Sequence, residues 1–177
     1  MTYTMTFEAT IETPRLLLRP LMRYDAPALH RALSDPAVMR YWSTPPHDAL
    51  EETESWIAES MAAMSRGDAH DFAVLHQNEV IGRVAFWMGD EIGFLFLRKA
   101  WGQGFAREAA AALLRYGFET LGFKQVRADV DPENVASLRL LESLGFRRTG
   151  FAKNTMKVGE TWVDSVYLAL SPADLQG

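Results

Sequence analysis

Gly102-Gln103-Gly104-Phe105-Ala106-Arg107 has the residue types and the spacing of an anion-binding turn. It follows an apolar run, residues 92–97, that reads as a strand, and leads into residues 109–121, which read as a helix. The first amides of a helix lack intrahelical acceptors, and the macrodipole is positive there. Glycines let the backbone close around a phosphate with no side chain in the way. The segment therefore predicts a site for a phosphate-bearing cofactor. A dinucleotide fingerprint would place a third glycine at position 107, where Arg107 stands. A P-loop would end in Gly-Lys-Ser/Thr, and the chain has no such run. An ordinary loop before a helix is the competing reading of the segment taken alone.

A second segment narrows the choice. Asp131-Pro132-Glu133-Asn134-Val135-Ala136-Ser137 leads into Leu138-Arg139-Leu140-Leu141-Glu142-Ser143-Leu144-Gly145-Phe146. With these residues the chain resembles the GCN5-related N-acetyltransferase (GNAT) superfamily, and in particular its Rim-type branch of ribosomal-protein N-terminal acetyltransferases and their relatives. The cofactor loop of that branch looks like Tyr-Trp-Gly-Lys-Gly-Tyr-Ala, similar to Ala100-Trp101-Gly102-Gln103-Gly104-Phe105-Ala106. Its later helix looks like Asn-x-x-Ser and then Glu-x-x-Gly-Phe, matched by Asn134, Ser137, Glu142, Gly145 and Phe146. The opening Thr13-Pro14-Arg15-Leu16-Leu17-Leu18-Arg19 also looks like that branch.

The resemblance implies acetyl transfer from acetyl-CoA (coenzyme A) to a primary amine, either a protein N-terminus or a small molecule, by direct attack in a ternary complex. It assigns the diphosphate to the amides of Gly102, Gln103, Gly104, Phe105, Ala106 and Arg107, with Arg107 or Lys99 as candidate extra cations. It lays the pantetheine arm along the amides and carbonyls of Phe94, Leu95 and Phe96, where an amide would also stabilise developing oxyanion charge. Asn134 is a cofactor contact, a helix N-cap, or both. Much of the superfamily has a tyrosine proton donor seven positions after that asparagine, but Leu141 stands here. Ser137, one helical turn beyond Asn134, is the candidate donor in this branch.

An attacking amine must first lose a proton, and a carboxylate can take it. Glu91 and Asp129 are the favoured candidates, with Asp90, Glu160 and Asp164 behind them and a solvent relay as the alternative. Tyr41, Trp42, Trp87 and the 151–162 segment are the candidate acceptor walls. The four histidines share no metal-ligand spacing, so no metal site is expected.

The elements that must position these residues follow from periodicity and breakers. Residues 15–19 read as a strand, and Asp25 as the N-cap of a helix with Pro27 in its first turn. Pro36 opens a short second helix to Arg40. Asp48 begins a longer helix to about Ser65, with acids early, where the dipole favours them. Residues 72–75 and 80–87 read as strands paired around Gln77-Asn78, and Gly89-Asp90 turns into the strand 91–97. Strands follow at 125–130, 147–156 and 161–170, with a helix at 135–144. The pattern is α/β (α+β), antiparallel early, with a strand-helix-strand unit around the glycine loop. The family fold it implies is a mixed, strongly twisted sheet of six or seven strands with about four helices.

At 177 residues the chain reads as one domain, 1–177. No stretch approaches the roughly 20 apolar residues of a membrane span, and residues 1–12 are polar, without the basic and apolar regions of a signal peptide. With no cysteine there is no thiol nucleophile, no disulfide and no acetyl-enzyme on sulfur. The composition fits the cytoplasm. A net charge of −5 argues against general nucleic-acid binding and suits a basic acceptor. No nucleic-acid or membrane partner is expected, and a homodimer is left open. Two rivals stand beside the enzyme: a non-catalytic CoA-binding sensor or assembly module, and a nucleotide-dependent oxidoreductase.

Overall fold

The computed structural model describes residues 9–177. Of the polar opening stretch, residues 1–8 lie outside the described residues. Eight strands form one sheet: β1 (Ile11–Glu12), β2 (Leu17–Pro20), β3 (Ala69–His76), β4 (Glu79–Trp87), β5 (Glu91–Phe96), β6 (Val126–Val130), β7 (Arg147–Val158) and β8 (Thr161–Leu170). Their order is β1-β2-β3-β4-β5-β6-β8-β7. Every neighbouring pair is antiparallel except β5 and β6. The helices are α1 (Ala26–Leu33), α2 (Leu50–Arg66), α3 (Phe105–Glu119) and α4 (Val135–Ser143). The two-residue β1 takes the sheet beyond the expected six or seven strands, because so short a strand carries no periodicity of its own.

Alternation along the strands sends side chains to two cores. On one face, Phe72, Val84, Phe86, Val126 and Leu168 pack against α3 and α4. On the other, Ala73 and Leu95 pack with Leu29, Leu33 and Ile57 of α1 and α2. Small residues let α3 lie close to the sheet: a Cβ on Gly117 would stand 2.7 Å from the Phe86 ring. A buried polar network seats α2. Arg83 Nε donates to Asp71 Oδ1 at 2.9 Å, Arg83 Nη2 and Ser60 Oγ donate to Asp71 Oδ2, and the Arg83 guanidinium lies 5.0 Å from the Trp56 ring centre.

Several local expectations differ from what forms. Asp25 does not cap α1; its carboxylate accepts from Met22 N–H at 2.9 Å and pairs with Arg19, closing a single 3₁₀ turn ahead of the helix. Residues 36–40 form turns rather than a second helix, with Met39 N–H donating to Asp35 O at 2.9 Å and Asp35 Oδ1 accepting from Ala37 N–H. A side-chain acceptor at Asp35 competes with continued helix there. Asp48 lies before α2, where Glu52 folds back to accept from Asp48 N–H at 2.6 Å. Gln77 and Asn78 have φ of 49° and 66°, the pattern of a two-residue I′ hairpin turn. The next turn takes in Met88 as well as Gly89 and Asp90. Among the described residues, no helix is long and apolar enough to cross a membrane.

Candidate active site

The parallel pair at the centre of the sheet opens almost as soon as it forms. β5 and β6 share one paired position, Glu91 with Arg127, where Arg127 N–H donates to Asp90 O at 2.9 Å. Beyond it the strands part. Leu97 N–H donates to Ile81 O at 2.9 Å, so by antiparallel alternation the peptide groups of Leu95 and Gly93 face β4. Those of Phe94 and Phe96 face the gap. Phe96 carbonyl is already taken by the Trp101 indole, whose Nε1 donates to it at 3.0 Å. The edge left to an extended ligand is Phe94 N–H, Phe94 C=O and Phe96 N–H. The expected contribution of Leu95 main chain is therefore not available, because β4 holds it. Leu95 nonetheless lines the cavity.

That gap leads into a cavity of about 610 Å³. Phe94, Leu95 and Phe96 line it, as do the glycine loop, Asn134 and Ser137, and Tyr41 and Trp42 lie on its rim. Gly102 and Gly104 have φ of 72° and 78°, a left-handed conformation that costs other residues roughly 1–2 kcal/mol. Among the described residues, none of the main-chain N–H groups from 102 to 107 has a hydrogen-bond acceptor, although Glu108 N–H already bonds Gly104 O at 3.0 Å. A row of unpaired donors at the positive end of a 15-residue helix is chemically matched to a diphosphate, and the open strand edge is matched to an amide-bearing arm. The residues present fit coenzyme A.

Both cations expected beside the phosphates have partners in this structure, although Arg107 also lines the cavity. Arg107 Nε and Nη2 bond Ser143 Oγ and Ser143 O at the end of α4, at 3.2 and 3.3 Å. Lys99 is paired with Glu79.

α4 presents the polar end of the cavity. Asn134 caps it, Oδ1 accepting from Ser137 N–H at 3.2 Å. Ser137 Oγ is half-buried and makes no hydrogen bond among the described residues. Tyr41 bridges the α1–α2 loop to the start of α4, its hydroxyl donating to Glu133 O at 3.2 Å. An Asp35–Arg98 ion pair ties the same loop to the segment after β5.

The two favoured carboxylates meet elsewhere. Glu91 and Asp129 share a sheet face with Tyr167, which pairs with Asp129, around a separate hollow of about 290 Å³. Burial pushes the Glu91 carboxyl up, the Asp129 charge adds to this, and Arg127 opposes it. Arg127 is itself held by Asp90 at 2.8 Å. Two carboxylates thus stand beside one already neutralised ion pair. Trp87 lies across from Glu91 at the far end of β4 and lines neither hollow. Phe151 and Trp162 are exposed on β7 and β8. Glu160 pairs with Lys157 in solvent, and Asp164 accepts from Asn154 N–H at 2.9 Å. Sequence reasoning missed the Trp101–Phe96 bond and the contacts of Arg15 behind the loop. The residues were in plain sight, but the bonds between them were not.

A splayed parallel pair, a helix-start donor cluster and a mostly apolar cavity between them fit a transferase that uses a CoA thioester. A model of the GNAT acetyltransferase domain matches residues 15–147. The chain is 33% identical over 176 residues to an uncharacterised N-acetyltransferase, p20, of Bacillus licheniformis, covering 95% of this chain and 99% of that one. It is 28% identical over 139 residues to the spermidine N(1)-acetyltransferase of Escherichia coli, covering 75% and 73%. A GNAT-family acetyltransferase from Bacillus anthracis superposes with a TM-score of 0.81 at 32% identity, over 92% of this chain and 98% of that one. The chain belongs to the GNAT acetyltransferase family. It is an N-acetyltransferase whose acetyl donor is acetyl-CoA.

Proposed function

We propose that this enzyme, a single-domain member of the Rim-type branch, acetylates a primary amine by direct attack in a ternary complex. The observation that carries the reading is the convergence in one cavity of unpaired amides at residues 102–107, the free main-chain edge of Phe94 and the unbonded hydroxyl of Ser137. The thioester, when bound, supplies the activated acetyl group. The amides of Gly102 to Arg107 hold the diphosphate, and the peptide groups of Phe94 align the arm. Phe94 N–H or Phe96 N–H donates to the thioester oxygen and stabilises charge that develops there. Asn134 orients the start of α4. As the C–N bond forms and the C–S bond breaks, Ser137 Oγ gives its proton to the departing sulfur and takes up the proton that the amine nitrogen sheds.

The acceptor enters from the side of Glu91 and Asp129, Glu91 standing three residues before Phe94 on β5, while Tyr41 and Trp42 wall the cofactor cavity. Glu91 takes the ammonium proton, directly or through water, because burial and Asp129 raise its proton affinity toward the working range. The excess negative charge of this hollow favours a cationic acceptor. Both acceptor classes of the branch meet that demand: a peptide N-terminus, and a polyamine such as the substrate named for the Escherichia coli relative. Trp87, which lines neither hollow, has no part in this reading.

The test is a thiol-release assay with acetyl-CoA and a panel of peptides, polyamines and amino acids. Acceptor-dependent release with one cationic class is expected. Tight CoA binding with no release across the panel would refute the assignment of Glu91 and Ser137.

A further inference from the structure

Arg15, in the turn between β1 and β2, reaches the back of the glycine loop without lining the cavity. Its Nη1 donates to Gln103 O at 2.9 Å and its Nε to Glu108 Oε2 at 2.7 Å. The guanidinium carbon lies 4.5 Å from the centre of the Phe105 ring. Arg15 N–H and Thr13 Oγ1 both donate to Glu108 Oε1, at 2.9 and 2.6 Å. Nη2 stands 3.3 Å from the position a Cβ on Gly104 would take. One short hairpin thus grips the loop carbonyl, the left-handed glycine and the first turn of α3.

The charge arithmetic gives this grip a purpose. Burial alone would raise the Glu108 carboxyl, but the bonds from Thr13 and Arg15 outweigh it and hold it below the usual range, so it is ionised. An ionised carboxylate in the first turn of α3 opposes a diphosphate brought to the same helix end. Arg15 cancels that charge from behind. It also satisfies Gln103 O, leaving the loop no reason to turn its donors inward.

We infer that Arg15 is the positioning residue of the cofactor cradle, holding Gln103-Gly104 in shape and neutralising Glu108 so that the amides of 102–107 keep their full pull on the diphosphate. This rests on the assignment of those amides to the diphosphate.

The experiment is calorimetric titration of coenzyme A into the wild type, Arg15→Met, Arg15→Met/Glu108→Gln, Glu108→Gln and Gly104→Glu, with melting curves for each. Met keeps an unbranched stem over Phe105 and removes only the charge and the bonds. Arg15→Met should weaken CoA roughly tenfold, and adding Glu108→Gln should restore it to within about threefold. Glu108→Gln alone should tighten binding by a few-fold, and it tests the charge argument even if Arg15→Met does not fold. Wild-type affinity in Arg15→Met, or a loss that Glu108→Gln fails to restore, overturns the role of Arg15. If Gly104→Glu also binds normally, the cradle assignment itself falls; if Gly104→Glu alone loses CoA, the cradle stands and only Arg15 is wrong.

Discussion

Ser137→Ala separates chemistry from architecture because the structure gives the hydroxyl nothing else to do. Ser137 Oγ bonds no described group, so its loss strands no partner. The Asn134 cap is made to Ser137 N–H, which alanine keeps. Alanine is also the better helix former by about half a kcal/mol, and the site is half-buried rather than packed solid. Stability should therefore stay level or rise slightly. Affinity for CoA should hold, because the amides and the Phe94 edge are untouched. A positioned proton donor is worth roughly a hundred- to ten-thousand-fold in rate, or about 2.7–5.5 kcal/mol of barrier. Turnover at saturating acetyl-CoA and amine should fall by that factor, with the KM of each substrate little changed. Thiol release, CoA titration and a melting curve on one preparation suffice. A turnover within about threefold of wild type would remove Ser137 from the mechanism.

Glu91→Gln should abolish the acid limb of kcat/KM: in the wild type the rate should rise with pH through a pKa lifted above the ordinary glutamate range by burial and by Asp129. A folded-state pKa above the unfolded one also means that wild-type stability should fall as pH rises from the ordinary carboxylate range through the raised value, and melts across that window should show no such fall in Glu91→Gln. Asp71→Ala should leave Arg83 buried without its partner, costing about 3–5 kcal/mol and lowering Tm by roughly 6–20 °C; a drop under about 3 °C would show that the network is not holding α2. Trp101→Phe releases the Phe96 carbonyl and unties the loop from β5, so CoA affinity should weaken about threefold to fivefold; an unchanged titration would mean that this bond does not shape the cavity.

What the amino-acid order discloses, and what it hides, divides by range along the chain. The glycine loop, the long helices and the strand-helix-strand unit are local matters. Gly102 and Gly104 advertise left-handed backbone, and apolar period advertises α3 and β5. Even locally, competition defeats the reading: Asp25 has the type of an N-cap, yet Arg19 and Met22 N–H offer its carboxylate more than the helix start does. Farther apart, residue type stops being informative. Arg107 lies in the first turn of α3 and looks like the phosphate cation, but its guanidinium bonds the end of α4, 36 positions away. Arg15 looks like a strand-edge charge, but its partner Glu108 is 93 positions on. Glu91 and Asp129 can each be nominated as bases; only the β5–β6 register makes them neighbours, and that neighbourhood is part of what raises the proton affinity of Glu91. A loop can thus be recognised from its own residues, while its electrostatics are set by residues that the fold brings to it. On the role inferred for Arg15, charge-neutral pairing behind the loop prepares this helix end for an anion.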